Sequence, residues 1–339
     1  MKRFAFLLLG LCVMITGCVS PQQPKQYTAT FLNLFDTVTT VVGCADSEEA
    51  FTRASQAIHD ELKRYHELFD IYQEYPGVTN LKSLNDSAAA APVKVEKPIL
   101  ELLKDCKRYY ELTDGKVNAA MGSVLRLWHE ARSDGIQDPA NAYLPDMEEL
   151  REASMHTDIN DVILDEENCT VYFADPLLQL DVGAIAKGWA AQRVAENAPE
   201  GLLISVGGNV CAKGPKKADG TPWVIGIQSP FHTGKNVHTL NISGGCVVTS
   251  GDYQRTYTVG GQSYHHIIDP DTLMPAAYWR SVTVVCADSG LADALSTALF
   301  NLPLEEGKAL LAKVNGEAFW MDADGKEFFT TGFQKIMRT

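Results

Sequence analysis

Apolar positions recur every three and four residues through SEEAFTRASQAIHDELKRYHELFDIY (47–72), behind Ser47 and two acids. That spacing draws one apolar stripe along a helix, and a serine ahead of acids is an N-cap signal. The same period returns in KPILELLKDCKRYYELTDG (97–115), which Gly115 is suited to end, and in GSVLRLWHEAR (122–132). One more short helix is expected within the polar stretch 134–157. FLNLFDTVTTVVGCA (31–45) is instead rich in Thr and Val and reads as a strand. EYPGVTNLKSLNDSAAAAPVKV (74–95) holds neither period and reads as a long irregular connection.

From residue 159 the character changes to strand-like. NDVILDEENCTVYFADPLLQLDVG (160–183) starts like a hairpin. Strand-like runs follow in LLISVGGNVCAKG (202–214), WVIGIQSP (223–230), VHTLNISGGCVVTSGDYQRTYTVGGQSYHHIID (237–269) and SVTVVCA (281–287). Helical spacing resumes in ADALSTALFNL (292–302) and EEGKALLAKV (305–314), and GEAFWMDADGKEFFTTGF (316–333) closes as a hairpin. A helical first part packed on a strand-rich second part with Gly-rich turns predicts an α+β fold.

The first residues are outside this scheme. Lys2 and Arg3 precede an apolar run of twelve residues, Phe4 to Ile15, too short for a stable span. With Ile15-Thr16-Gly17-Cys18 behind it, the run resembles a bacterial lipoprotein signal; an ordinary secretory signal is the alternative. The resemblance implies that 1–17 is removed and that Cys18 carries the lipid. The product would be exported and anchored to the bacterial membrane, facing outside the cytoplasm. Residues 18–27 then read as a tether and 28–339 as the folded part, with room for two lobes near 28–157 and 158–339.

Charge narrows the partners. The chain carries −14, and losing Lys2 and Arg3 makes it −16, which argues against nucleic acid. A bound phosphate would need local help from amides, a lysine or a metal. Cys44, Cys106, Cys169, Cys211, Cys246 and Cys286 form no C-x-x-C pair and mostly sit in apolar company, as buried thiols do.

Candidate chemistry begins at DVGAIAKGWA (181–190), where the apolar run Leu177 to Leu180 hands over to helical spacing. Gly183 and Gly188 permit close backbone approach, Lys187 adds charge, and helix-start amides suit phosphate. The pattern is neither G-x-G-x-x-G nor a P-loop, and a glycine-kinked corner without a ligand fits it too. Ser205-Val206-Gly207-Gly208-Asn209 is a second glycine turn after an apolar strand. His266 stands three residues before Asp269, with Pro270 stiffening the exit; His265 would point to the other face of a strand. Asp293 and Thr297, four apart on a helix, share a face and offer oxygens to a hard cation such as Mg²⁺. Taken singly, Asp293 also reads as a helix-start charge and His266 as a satisfied strand histidine.

In this order DVGAIAKGWA, SVGGN, HHIIDPDT and ADALSTALF resemble the ApbE-like family of FAD:protein FMN transferases. Weaker likeness lies in FDTVTT (35–40), LFDIYQEYPGVTNLKSLND (68–86) and GKVNAAMGSVLRLW (115–128), so that it runs from about Asn33 to Leu302. The resemblance implies Mg²⁺-dependent transfer of FMN from FAD to a Thr or Ser hydroxyl of an exported or membrane protein, with AMP leaving. It implies that Asp181 and the corner Gly183 to Gly188, Lys187 included, cradle the FAD diphosphate. It implies Mg²⁺ on the Ala184 carbonyl, Asp293 and Thr297. It sets Tyr72, Asn118, Ala119, Ala120 and Met121 along the flavin nucleotide. His266 and Ile267 fall near the reacting phosphate, on a loop that Asp269 orders. The chain departs from the family at Asn118-Ala119-Ala120, commonly Asp-x-Thr, and at Phe35-Asp36-Thr37, commonly Met-Gly-Thr.

Phosphoryl transfer needs charge stabilised on non-bridging oxygens and a base for the incoming hydroxyl. Mg²⁺ with Asp293 and Lys187 would supply the first, and His266, with an ordinary pKa near neutral, the second. Two other functions fit these residues. One is a Mg²⁺-dependent FAD pyrophosphatase, in which water replaces the hydroxyl and FMN and AMP result. The other is a non-enzymatic flavin-binding lipoprotein, although a carrier has no need to polarise a diphosphate.

Overall fold

The structure, a computed structural model, describes residues 25–338; the expected signal sequence and Cys18 lie outside the described residues. The chain runs β1 (Lys25–Leu34), β2 (Thr37–Ala45), α1 (Glu48–Phe69), α2 (Leu81–Ser87), β3 (Val93–Lys94), α3 (Lys97–Leu112), α4 (Gly122–Gln137) and α5 (Met147–Ser154). It continues β4 (Val162–Asp165), β5 (Thr170–Phe173), α6 (Ala186–Asn197), β6 (Leu202–Val206), β7 (Asn209–Lys213), β8 (Trp223–Gln228), β9 (Asn236–Ile242) and β10 (Gly245–Gly251). Then come β11 (Thr256–Val259), β12 (Gln262–His265), β13 (Ser281–Cys286), α7 (Ser289–Phe300), α8 (Leu304–Leu311), β14 (Glu317–Met321), β15 (Glu327–Phe329) and α9 (Thr331–Ile336).

The central layer is an eight-stranded sheet in the order β1-β2-β6-β7-β10-β13-β14-β15, antiparallel throughout. Alternation along each strand divides its residues between two apolar layers. Val248, Val282, Val284, Ala318 and Trp320 face the main core with α1, α3, α6 and α7. Val247, Phe319 and Met321 face a smaller core closed by β8, β9 and Phe333 of α9. A third cluster, with Val124, Trp128, Leu150, Tyr257 and Leu273, joins α4 and α5 to the β11–β12 hairpin. The main core takes Leu62 and Tyr109 from one side of residue 157 and Trp189 and Leu295 from the other, so the two halves share it.

The α+β expectation holds, and most elements fall where the periods put them. Ser47 caps α1, its Oγ accepting from the Ala50 amide at 3.2 Å. Four details differ. The single strand expected over 31–45 is a hairpin, turned by Asn33, Phe35 and Asp36 at positive φ. Lys25 to Tyr27, expected in the tether, belong to β1, because they pair with Gly43 to Ala45. The connection 74–95 contains α2, which Asn80 and Ser83 start with reciprocal capping bonds. The apolar run before residue 181 forms no named strand, only a single bridge from Gln179 to Met121. No helix among the described residues is long and apolar enough to cross a membrane.

Candidate active site

A cleft of about 1100 Å³ opens at one end of the large sheet. That is slightly above the roughly 300–1,000 Å³ usual for small-molecule sites. The β1–β2 turn, the loop after α1, α4, the start of α6, the β6–β7 turn, the segment after β12 and α7 all line it.

The corner at 181 is built by hydrogen bonds to its neighbours. The Asp181 amide donates to Ala119 O at 2.8 Å, and the Gly122 amide to Gln179 O at 2.9 Å. Asp181 Oδ1 accepts from the Gly183 amide at 2.8 Å, folding the loop into α6. Burial raises the Asp181 pKa, against the pull of that amide and of Arg255 and Lys187. Lys187 Nζ donates to Gly183 O at 3.0 Å and lies 3.8 Å from Asp293 Oδ2.

Asp293 is 4 % exposed. Its Oδ2 accepts the Gly188 amide at 2.8 Å, and among the described residues its Oδ1 takes no hydrogen bond. Burial holds the Asp293 pKa above the ordinary carboxylate value, while Lys187 and the Gly188 amide pull it down. Thr297, one turn later on α7, and Ala184 both line the cleft with it. No group of three or more His, Cys, Asp or Glu among the described residues could hold a metal. A cation here would take one carboxylate, neutral oxygens and the rest of its shell from a ligand's phosphates. That donor set suits Mg²⁺, which keeps few protein ligands and prefers oxygen.

Tyr72, on the loop after α1, packs against α4. Asp70 sets its loop, Oδ1 accepting from the Tyr72 amide at 2.7 Å and the Gln73 amide at 3.0 Å, and Oδ2 from Tyr75 Oη at 2.8 Å. Tyr72, 53 % exposed as a residue, lies beyond the end of α1, and its ring stacks on His129 at 4.8 Å between centroids and 27°. Arg132 Nη2 approaches His129 Nδ1 at 3.1 Å, and Tyr72 Oη approaches it at 3.3 Å. Arginine has only donors, so Nδ1 accepts and the imidazole is neutral with its proton on Nε2.

The adjacent histidines divide sharply. His265 donates from Nε2 to Ala276 O at 2.8 Å and accepts the Ile267 amide on Nδ1 at 3.2 Å, which occupies both nitrogens. His266 makes no side-chain hydrogen bond among the described residues and faces the cleft. Its ring is open to the cleft's solvent yet walled by protein. That enclosure, then Arg255 and Lys187, pushes its pKa below the ordinary value. The loop behind it is tied down by Lys116, whose Nζ meets Asp269 Oδ1 at 3.1 Å and Asp271 Oδ2 at 2.6 Å. Trp128 Nε1 adds a bond to Leu273 O at 2.9 Å.

The cleft thus gathers Tyr72, Asn118, Met121, Asp181, Gly183, Ala184, Lys187, His266, Ile267, Asp293 and Thr297. Three expected contacts fall elsewhere. Ala119 and Ala120 are buried in the main core at 1 % and 0 %, so they shape the pocket only through their backbone. Gly188 is also buried; a Cβ there would meet Ser289 O at 2.3 Å, so its lack of a side chain serves the α6–α7 contact. Asn118 lines the cleft but spends its amide on Thr157 O and the Ala120 amide, each at 2.8 Å. Sequence reasoning passed over His129, Arg132, Lys116 and Arg255, which also line it. A signal for two of them was present: Leu125, Trp128, His129 and Arg132 share one stripe of α4.

A model of the ApbE family matches residues 35–320. The chain is 34 % identical over 256 residues to a protein of Klebsiella pneumoniae named FAD:protein FMN transferase, covering 74 % of this chain and 76 % of that one. A Treponema pallidum protein of the same name is 33 % identical over 289 residues, covering 78 % and 77 %. The crystal structure of the ApbE protein from Thermotoga maritima superposes with a TM-score of 0.82 at 29 % identity, covering 93 % of this chain and 100 % of that one. Flavin transferase ApbE from Vibrio cholerae shares the fold, with a TM-score of 0.74 at 24 % identity over 92 % and 99 %.

Proposed function

The chain belongs to the ApbE family, and from that premise we propose that it moves FMN from FAD to a Thr or Ser hydroxyl of another protein, releasing AMP with Mg²⁺ required. The observation that carries the reading is the meeting in one cleft of an uncommitted histidine, His266, with the Asp293–Lys187 corner. His266 takes the hydroxyl proton, since His265 has no free nitrogen. Lys187 and the amides at the start of α6 offset phosphate charge, and Gly183 lets the backbone approach it. Asp293, Thr297 and the Ala184 carbonyl would hold Mg²⁺, which when bound neutralises and orients the diphosphate. Tyr72 offers an exposed aromatic face to a planar ring of the nucleotide.

Incubation with FAD and Mg²⁺, with and without a Thr- or Ser-bearing envelope protein as acceptor, tests this. AMP release that requires the acceptor, with a matching rise in acceptor mass, supports transfer. AMP release that ignores the acceptor makes the protein a pyrophosphatase, and FAD binding without AMP makes it a carrier. The proposal includes export and lipidation at Cys18. Cys18→Ala should free the protein from membranes or leave its precursor uncut, and an unaltered protein found free of membranes overturns that part.

A further inference from the structure

Arg132 and Arg255 both face the cleft, and among the described residues neither forms a salt bridge. This is unusual company for a chain of net charge −14. Arg132 is only partly exposed, on the cleft stripe of α4, and donates to the His129 ring on which Tyr72 stacks. Burial and the neighbouring Arg255 both push the Arg132 pKa down. The acid near both, Asp181, already spends an oxygen on the Gly183 amide. Two guanidinium groups share this one nearby carboxylate, without a salt bridge to it, so their charge is only partly offset and an anion entering the cleft removes the remaining cost. They belong to α4 and to the connection between β10 and β11, apart from Lys187 and Asp293 on α6 and α7. The cleft therefore takes its positive charge from different elements, with Arg255 and Lys187 both acting on His266, and a diphosphate has two phosphates.

We propose that Arg132 and Arg255 bind the phosphate of the AMP half of FAD and hold it as it leaves. This rests on the transfer reading above. In that reaction the acceptor oxygen bonds to the FMN phosphorus, and the bond from that phosphorus to the bridging oxygen breaks. The bridging oxygen departs with AMP and the electron pair, and the hydroxyl proton goes to His266. The AMP phosphate gains negative charge at that moment, and a guanidinium fork meets two phosphate oxygens at once. The attacked phosphorus belongs beside His266 and the Lys187 corner; Arg255 acts on His266 as Lys187 does and Arg132 acts on it less, so the pair reaches from the reacting phosphate toward the departing one.

The test is calorimetric titration of AMP, and separately of FMN, with Mg²⁺ into the parent, Arg132→Gln, Arg255→Gln and Arg132→Lys. AMP affinity should fall about tenfold or more in each glutamine variant, the scale of one lost charged hydrogen bond, and FMN affinity by less than about twofold. Arg132→Lys should lie between the parent and Arg132→Gln. Unchanged AMP affinity, or a parallel fall for FMN, overturns the proposal. Arg255 is exposed, so its variant decides the matter if Arg132→Gln fails to fold. AMP release from FAD by the parent is measured alongside. Arginine-dependent AMP binding without any release would keep the site and remove the transfer reading; release with arginine-independent AMP binding would do the reverse.

Discussion

Gly188→Ala separates a structural glycine from a ligand-cradling one. A Cβ at 188 would lie 2.3 Å from Ser289 O and 2.5 Å from Asp293 Cβ, whereas ordinary contact begins at 3.4 Å. The difference, 3.4 less 2.3, means that α6 and α7 must part locally by about 1.1 Å. Both close atoms belong to rigid parts of α7, so no side-chain swing relieves the clash. Overpacking of this kind costs about 1–3 kcal/mol. Parting the helices also stretches the 2.8 Å bond from the Gly188 amide to Asp293. Leaving that buried oxygen unpaired costs about 1–3 kcal/mol more. Alanine returns about 1 kcal/mol of helix propensity. The net loss is about 1–5 kcal/mol, a fall of several degrees in melting temperature for a domain of this size. Calorimetric melting with and without Mg²⁺, together with the Mg²⁺ dependence of turnover, reads both consequences. Lower melting and a raised Mg²⁺ requirement are expected, since Asp293 moves with α7. A variant with parental melting and Mg²⁺ requirement but weakened FAD binding would refute the packing argument and return Gly188 to the phosphate site.

Asp293→Ala should abolish turnover and Thr297→Ala should weaken it less, because only the carboxylate brings charge; equal Mg²⁺ titrations of the two would contradict this ranking. Asp293→Asn should raise the melting temperature in chelator at neutral pH. The folded-state pKa is raised, so the ionised carboxylate costs stability above the ordinary value of 3.8 and nothing well below it; a lower melting temperature at neutral pH would count against that. His266→Ala should slow transfer by about a hundredfold or more while FAD affinity holds. In the parent, the acid limb of kcat/KM should lie below the ordinary histidine value of 6.5, since the free-enzyme pKa is lowered. The kcat limb should lie higher, because bound phosphate favours the protonated ring, and coincident limbs would remove His266 as the titrating base. Lys116→Met should destabilise the fold by about 1–3 kcal/mol through its partners Asp269 and Asp271, with recovery in Lys116→Arg; parental melting would show that the pair does not tie the loop.

Periodicity carried most of the fold. The helices of 48–69 and 97–112 bury long apolar stripes, β8 alternates cleanly between buried and exposed, and β13 and β14 are apolar runs buried between two cores, so local pattern and final packing agree. The β1–β2 turn was hidden because Phe35, an apolar residue at φ 53°, continues the run that a Gly or Pro would have broken. α2 was hidden because it has only seven residues and rests on a capping pair, buried Asn80 with Ser83, rather than on a stripe. At the site, the motifs around Gly183, His266 and Asp293 were legible because their residue types are chemically specific. Motif membership does not tell side chain from backbone, so the motifs include Ala119, Ala120 and Gly188, whose side-chain positions are closed by packing. Arg132 was legible only as a misfit, a cation on the apolar stripe of an amphipathic helix, and Arg255 had no local signal at all.

The same misfits explain why the cleft is a poor structural solution by itself. Asp293 is buried with one oxygen unpaired by the described residues, and Arg132 and Arg255 form no salt bridge among them. His266 lacks the hydrogen bonds that its neighbour His265 has in full. Each of these groups would be more stable with a partner, and local sequence could have supplied one, as Lys116 has in Asp269. The unsatisfied groups are of opposite sign and gather at one cleft, so a cation and a polyanion bound together satisfy them where either alone would not. A metal without phosphate adds charge beside Lys187 and Arg255, and a phosphate without metal adds charge beside Asp181 and Asp293. Binding of Mg²⁺ and of a diphosphate nucleotide should therefore be mutually reinforcing, each raising the affinity of the other by the same factor. A cleft whose metal and nucleotide affinities were independent would not have this electrostatic design.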